Sequence, residues 1–321
     1  MSMQKVSNLM KPSAFDYIRV ETLDEALSVL ADSDLEAKIL AGGQSLLPIL
    51  NMRLAQPKAL VDINRLAALQ TLEQLPANAS TGDENGRSDG TLLQIGTLVR
   101  QRQLERYAAE EPRAKLIHTA ITHIGHPQTR NQGTVGGSLA HADPSAELPL
   151  IFLTLGGTAF LQSTRGERQV TAEQFFQSYF ATAIEPDEML TKTQWKLPAP
   201  QEGVAFKEYR RRHGDFALIA AACTVTLENN RAVRNVRLGL GGVSATPVLV
   251  AEVQQLAGER LTKERARAVA ETAVKQFDFP DDYQASSAYR QQLATVLISH
   301  VLAAAYEDAL AKEGTHAANQ G

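Results

Sequence analysis

Two glycine pairs, about ninety residues apart, constrain this chain more than any other feature. The first lies in Ala41-Gly42-Gly43-Gln44-Ser45, directly after the strand-like run Lys38-Ile39-Leu40-Ala41. The second lies in Asn131-Gln132-Gly133-Thr134-Val135-Gly136-Gly137-Ser138. Adjacent glycines admit positive φ and let backbone N–H groups approach a ligand, forming a nest for an anion. Ser45, Thr134 and Ser138 add hydroxyl donors. A diphosphate between two such turns would accept several charge-assisted hydrogen bonds, each worth roughly 1.5–3 kcal/mol. Either turn alone reads equally well as a tight turn without a ligand. The chain holds no Gly-x-x-x-x-Gly-Lys-Ser/Thr loop, and Gly239-Leu240-Gly241-Gly242 lacks the third glycine and following helix of a dinucleotide fingerprint. A kinase or a Rossmann dehydrogenase is disfavoured.

The composition narrows the chemistry further. The 321 residues suit about two domains, and 32 Lys and Arg against 36 Asp and Glu give a net charge of −4. A dedicated nucleic-acid binder would show a basic excess instead. The longest mostly apolar run, Phe216 to Leu227, falls short of the ~18 residues that suggest a membrane span. Met1 to Phe15 contain no apolar h-region, so the expected location is cytoplasmic. The single cysteine, Cys223, sits in the apolar run Ala220-Ala221-Ala222-Cys223-Thr224-Val225 and reads as inert packing. One thiol builds no intrachain disulfide, thiolate zinc cage or iron–sulfur cluster. Redox chemistry here must use an organic cofactor or a partner's metal.

The first half alternates short strands and helices. Thr22 to Glu25 form a capping box ahead of an apolar face made by Ala26, Leu27, Leu30 and Ala31. Lys38 to Ala41 predict a buried strand, Ala59 to Ile63 a second, and Ser80 to Gly90 a surface loop between hairpin strands. Arg100 to Ile124 are helical with a break at Pro112. Gly125 to Pro149, rich in glycine and proline, predicts a long functional loop. Strands return at Gly157 to Leu161 and Met189 to Lys196. Leu197 to Gly203 is the linker, dividing domains at 13–197 and 203–309. Beyond it come three strands, Ala205 to Tyr209, Leu218 to Leu227 and Val233 to Leu240, then a helix behind Thr262. A last helix, Ser287 to Leu310, aligns Tyr289, Leu293, Val296, Leu297 and Val301, and the tail is expected to fray from Lys312.

Lys38-Ile39-Leu40-Ala41-Gly42-Gly43-Gln44-Ser45-Leu46-Leu47-Pro48 resembles the first FAD-contacting segment of the flavoprotein subunit of molybdenum hydroxylases, the carbon monoxide dehydrogenase and xanthine dehydrogenase family. Ile124 to Asn131 followed by Gly133-Thr134-Val135-Gly136-Gly137-Ser138-Leu139-Ala140-His141-Ala142-Asp143-Pro144 resembles its second segment. The resemblance extends from Phe15 to about Asp308. It implies an α+β architecture: a two-lobed FAD-binding domain of the vanillyl-alcohol-oxidase-like (PCMH) type, then a C-terminal domain with a three-stranded antiparallel sheet and helices. It also implies that Ile39, Leu40, Ala41, Gly42, Gly43, Gln44, Ser45 and Leu46 wrap the FAD diphosphate, and that Thr134, Val135, Gly136, Gly137 and Ser138 complete the cradle. Asp143 would accept a hydrogen bond from a cofactor hydroxyl or simply cap a helix. Ile124 would line the pocket, Leu190 would pack on the cofactor or in the core, and Lys207 would approach the flavin or stand solvated on a strand edge. Gly136→Val is expected to abolish FAD retention by blocking backbone approach. Where similar proteins carry Gly-Ala-x-Thr, this chain reads Gly96-Thr97-Leu98-Val99, so Val99 supplies no hydroxyl.

The implied function is electron relay. A large subunit would hold the molybdenum cofactor, a small subunit two [2Fe–2S] clusters, and this chain FAD, the whole a dimer of heterotrimers. A stand-alone flavin oxidase or reductase of the same fold, or a non-catalytic scaffold subunit, are the alternatives. His118, His123, His126 and His141 fit no zinc spacing; His126 and His141 read as hydrogen-bonders beside the cofactor and His123 as helix-end packing. Arg210-Arg211-Arg212-His213 reads as a solvated edge, or as a surface toward a partner or acceptor.

Overall fold

Thr22 starts the first helix as its sequence requires. Its hydroxyl accepts the Glu25 N–H at 3.2 Å, and the Glu25 carboxylate accepts the Thr22 N–H at 3.3 Å. The computed structural model, which describes residues 11–76 and 90–318, places this capping box at the head of α1 (Leu23–Leu30). Ala26, Leu27 and Leu30 are buried; Ala31, expected beside them, is exposed at the C-cap. Helix α1 leads from β1 (Asp16–Arg19) to β2 (Lys38–Leu40), and α2 (Leu46–Asn51) leads from β2 to β3 (Ala59–Asp62). The three strands pair in parallel in the order β1-β3-β2. Strand β2 has a neighbour on one side only and is half-exposed, not buried as its apolar run suggests.

The second lobe is a five-stranded antiparallel sheet. Strands β4 (Leu72–Pro76) and β5 (Thr91–Gly96) pair as a hairpin would, while the loop expected over Ser80 to Gly90 lies outside the described residues except for Gly90. Then follow α3 (Gln101–Glu110), a single 3₁₀ turn opened by Pro112, and α4 (Lys115–Ile121).

From Gly125 to Pro149 the structure replaces the expected loop with helices: α5 (Pro127–Gln132), α6 (Val135–His141) and α7 (Glu147–Thr154). Pro127 sits in the first turn of α5, where its missing N–H is harmless. Thr134 caps α6, accepting the Gly137 N–H at 3.0 Å. The residues that read as breakers are starters. After β6 (Thr158–Ser163) come β7 (Gly166–Thr171), the short α8 (Ala172–Phe175), and the two-strand ribbon β8 (Phe176–Ser178) and β9 (Ala181–Thr182). Strand β10 (Met189–Leu197) completes the order β4-β5-β10-β6-β7. Its Trp195 is fully buried, 5.6 Å from the Phe152 ring of α7.

The C-terminal sheet contains β11 (Gly203–Tyr209), β12 (Ile219–Leu227), β13 (Val233–Gly241) and a fourth, two-residue strand, β14 (Val248–Leu249), beyond the three expected. Helix α9 (Lys263–Ala273) begins at the expected Thr262 cap. Helix α10 (Ser287–Ala318) buries Ala294, Leu297, Ile298, Val301, Leu302 and Ala305. Tyr289 and Val296, expected on that face, are exposed. The helix does not fray at Lys312, whose Nζ donates to the Glu202 carbonyl at 2.7 Å and pairs with Asp308 at 2.9 Å. From Ser287 to Gly314 it is long and apolar enough to cross a membrane, which the search for apolar runs missed. Its inner face nevertheless packs on the sheet, and buried Arg290 donates to the Leu218 carbonyl at 2.9 Å.

Candidate functional site

The two glycine turns meet backbone on backbone. A Cβ on Gly42 would lie 2.5 Å from the Gln132 carbonyl oxygen and 2.9 Å from Gly133 Cα, so only glycine lets β2 run this close to the end of α5. Gly43 has φ +69°, which turns the chain back toward α2. Among the described residues, the N–H groups of Gly42, Gly43, Gln44 and Ser45 meet no acceptor in the chain, and the Ser45 hydroxyl makes no cap bond. These are the unsatisfied donors that an anion-binding turn requires.

The second turn works differently from the nest its glycines suggest. The Val135 N–H donates to the Val99 carbonyl at 2.9 Å, Gly136 to the Thr97 carbonyl at 3.1 Å, and Gly137 to Thr134 Oγ1 at 3.0 Å. Neither Gly136 nor Gly137 has positive φ. Gly136 is glycine because a Cβ there would lie 2.7 Å from Thr97 Cα. The second segment is therefore a buried helix start that forms a wall, with half-buried Gly137 and Ser138 at its open side. The divergent Gly96 to Val99 stretch braces that wall through backbone carbonyls, so no hydroxyl at Val99 is needed for this role.

Other expected site residues fall around this junction. Ile39 packs on the first lobe's core, and Leu46 opens α2 half-buried. Asp143 follows Ala142, the left-handed C-cap of α6, and one carboxylate oxygen accepts the Ser145 N–H at 2.8 Å. His141 ends α6 with its ring 5.1 Å from exposed Phe180 at the β8–β9 tip; burial lowers its pKa against the pull of Asp143. Ile124 is half-buried, and its carbonyl accepts Arg130 Nη1 at 2.8 Å. Arg130, in the second motif, is itself buried and bridges to Glu105 of α3 at 2.8 and 3.2 Å, which fixes α5. Leu190 lies with its side chain in the core of the second lobe.

Lys207 is not brought to the turns. Strand alternation sends it to the α10 side of β11, with Nζ 3.3 Å from His300 Nδ1. Its neighbours Phe206 and Glu208 face the second lobe instead. Phe206 lies 5.4 Å from the His123 ring, and Glu208 Oε1 is 3.1 Å from both His123 Nδ1 and Arg210 Nη1. Arg210 turns inward to the His123 carbonyl at 2.7 Å, so the arginine run is not wholly a solvated edge. His123 is thus helix-end packing beside the Glu208 carboxylate, and His126 stacks on His213 at 5.5 Å. Behind this seam, buried Glu147 has its carboxyl pushed up to about 8 by burial and then by the charge of Glu208. Glu147 and Glu208 carried no sequence signal, since each is an isolated carboxylate outside the glycine motifs.

The description "FAD binding domain in molybdopterin dehydrogenase" matches residues 13–199, and "CO dehydrogenase flavoprotein C-terminal domain" matches residues 204–305. The chain belongs to this family of FAD-binding subunits. The flavoprotein subunit is 36% identical to the 6-hydroxypseudooxynicotine dehydrogenase complex subunit alpha of Paenarthrobacter nicotinovorans, over 92% of this chain and 96% of that one. It is 33% identical to caffeine dehydrogenase subunit beta of Pseudomonas sp. (strain CBB1), over 92% and 96%. A chain in the crystal structure of quinoline 2-oxidoreductase from Pseudomonas putida 86 superposes with TM-score 0.82 at 31% identity, over 94% of this chain and 99% of that one. The flavoprotein subunit is thus a component of an oxidoreductase, and its residues fit the cofactor: Gly42 to Ser45 carry N–H donors without an acceptor in the chain, beside a backbone contact at Gly42 that tolerates no added carbon.

Proposed function

We propose that this flavoprotein subunit relays electrons inside a molybdenum hydroxylase, from [2Fe–2S] clusters on a small subunit to an external acceptor. The observation that carries the reading is the contact of Gly42 with Gln132 and Gly133, which joins two unsatisfied or walled turns into one cradle. Support comes also from the single cysteine, which leaves clusters to other chains, and from relatives whose names place them in dehydrogenase complexes. The molybdenum cofactor and substrate belong on a large subunit, and the assembly is a cytoplasmic dimer of heterotrimers. The division of the chain into domains at 13–197 and 203–309 follows the same reading.

When bound, FAD supplies reversible two-electron chemistry that also proceeds in single-electron steps. The chain's own residues bind and orient it. Gly42 to Ser45 offer N–H donors to the diphosphate; the Ser45 and Ser138 hydroxyls add two more. The Asp143 carboxylate keeps lone pairs for a cofactor hydroxyl beyond the bond from Ser145. Ile124 lines the pocket, and Leu190 stiffens the wall from within the core. Lys207, exposed beside α10 with its Nζ near His300, supplies its charge toward the flavin rather than to the diphosphate turns.

The test is to purify the chain with the products of neighbouring genes, record the visible spectrum, identify released flavin and assay molybdenum and iron. A yellow complex containing FAD, molybdenum and iron is expected. A protein that takes up no FAD, alone or in complex, overturns the reading. Flavin without copurifying metals favours a stand-alone flavin enzyme.

A further inference from the structure

Asn64 stands between the two turns of the cradle. Its Nδ2 donates to the Ala41 carbonyl at 2.9 Å and, more weakly, to the Leu40 carbonyl at 3.4 Å. Its Oδ1 accepts Arg100 Nη2 at 2.7 Å. Arg100 Nη1 in turn donates to the Gln132 carbonyl, the same oxygen against which Gly42 is pressed. A continuous run of hydrogen bonds therefore spans from the end of β2, where the first turn begins, to the end of α5, where the second begins.

Both members are held from behind. Asp62 Oδ1 accepts the Asn64 N–H at 2.9 Å and Nδ2 at 2.7 Å, and Asp62 Oδ2 accepts the Tyr17 hydroxyl. The Arg100 N–H donates to Gln103 Oε1 at 2.8 Å, and Arg100 bridges to Thr134 as a β-pair. Burial lowers the Arg100 pKa, while the Asp62 carboxylate favours its charge. A guanidinium reaches two acceptors in fixed, diverging directions, which a lysine ammonium does not reproduce. Apart from this run, the contact at Gly42 is van der Waals only, and β2 is an edge strand held on one side.

We infer that Asn64 and Arg100 are positioning residues that fix the spacing between the two turns and thereby set the affinity for FAD without supplying the diphosphate's donors. The inference rests on the cradle being the FAD site. Preorganised spacing raises affinity because the turns need not be ordered during binding.

The test uses the full chain with whatever subunits copurify, stripped of flavin and titrated with FAD by fluorescence, alongside apo-protein melting curves. Arg100→Lys, Asn64→Ala and the double variant are compared with wild type. Each single variant is expected to raise the FAD dissociation constant tenfold or more. The double variant should be no worse than about threefold beyond the weaker single, because both break one connection. The Asn64→Ala apo protein should melt lower than wild type, because Arg100 and the Ala41 carbonyl lose a partner. FAD affinity is therefore measured well below its melting temperature, where the variant is folded, to separate spacing from general stability. Dissociation constants within twofold of wild type, or effects that multiply in the double variant, overturn the inference. If Arg100→Lys does not fold, the dissociation constant of Asn64→Ala decides alone. Wild-type protein that takes up no FAD overturns the cradle reading and the inference with it, whereas wild-type binding with unaffected variants overturns only the inference.

Discussion

Gly136 lies so close to Thr97 that a β-carbon on it would stand 2.7 Å from the Thr97 Cα, and its N–H already donates to the Thr97 carbonyl at 3.1 Å. The glycine is required by protein packed on protein, not by a ligand's approach. Gly136→Val therefore drives methyl groups into the strand-end segment that braces α6. Overpacking of this kind costs typically about 1–3 kcal/mol, sometimes more. The expected outcome is a lower melting temperature of the flavin-free protein, with flavin loss as a consequence. An apo protein that melts like wild type yet holds no FAD would restore the nest at Gly136.

The Ser45 and Ser138 hydroxyls are better probes of the cofactor. Among the described residues neither makes a hydrogen bond within the chain, so removing either leaves no orphaned protein group. Ser45→Ala and Ser138→Ala should each weaken FAD about tenfold, the equivalent of ~1.4 kcal/mol, with apo melting unchanged. Flavin titration beside a melting curve checks both, and unchanged FAD affinity in both variants would place the diphosphate away from these hydroxyls.

Much of the architecture is readable because local signals and burial agree. The Thr22 and Thr262 caps work as written, and the apolar run around Cys223 is the central strand β12. The helices between Gly125 and Pro149 escape such reading because Pro127, Gly136 and Gly137 are poor interior residues but acceptable in a first turn, where a cap and tertiary contacts decide. Lys207 is hard to read for another reason: it is exposed on the edge strand β11, and the strand's pattern does not say whether its side chain meets a cofactor or solvent. Asn64 and Arg100 belong to no motif. Their partnership exists only once β3 and the start of α3 are folded against both turns.

Cys223 should be chemically silent in the folded protein. It is fully buried between β11 and β13, and burial pushes its thiol well above the usual range. A thiolate is the reactive species, so both access and ionisation oppose attack. A thiol reagent at neutral pH should label the native chain negligibly and the denatured chain stoichiometrically. Rapid labelling under native conditions would mean that β12 is exposed by local opening.

Glu147 should give the protein a pH-dependent stability of opposite sign to that of an ordinary paired carboxylate. It lies buried in the first turn of α7; burial and then Glu208 raise its carboxyl from 4.5 to about 8, against its own backbone N–H and Arg210, with Asp143 adding to the rise. The folded state therefore binds this proton more tightly than the unfolded chain. The stability it contributes is complete below the unfolded pKa and is lost as pH rises through about 8. Glu147→Gln keeps a neutral, isosteric group and removes the linkage. The variant should match wild type near about pH 4 and exceed it near about pH 9 by on the order of 5 kcal/mol, the linkage free energy of a carboxyl held at about 8 against 4.5. Denaturant unfolding across that range measures the difference directly. Parallel pH profiles for the two proteins would show that Glu147 ionises in the folded state as readily as in the unfolded one, and that the seam between the FAD-binding lobes and the C-terminal sheet tolerates its charge.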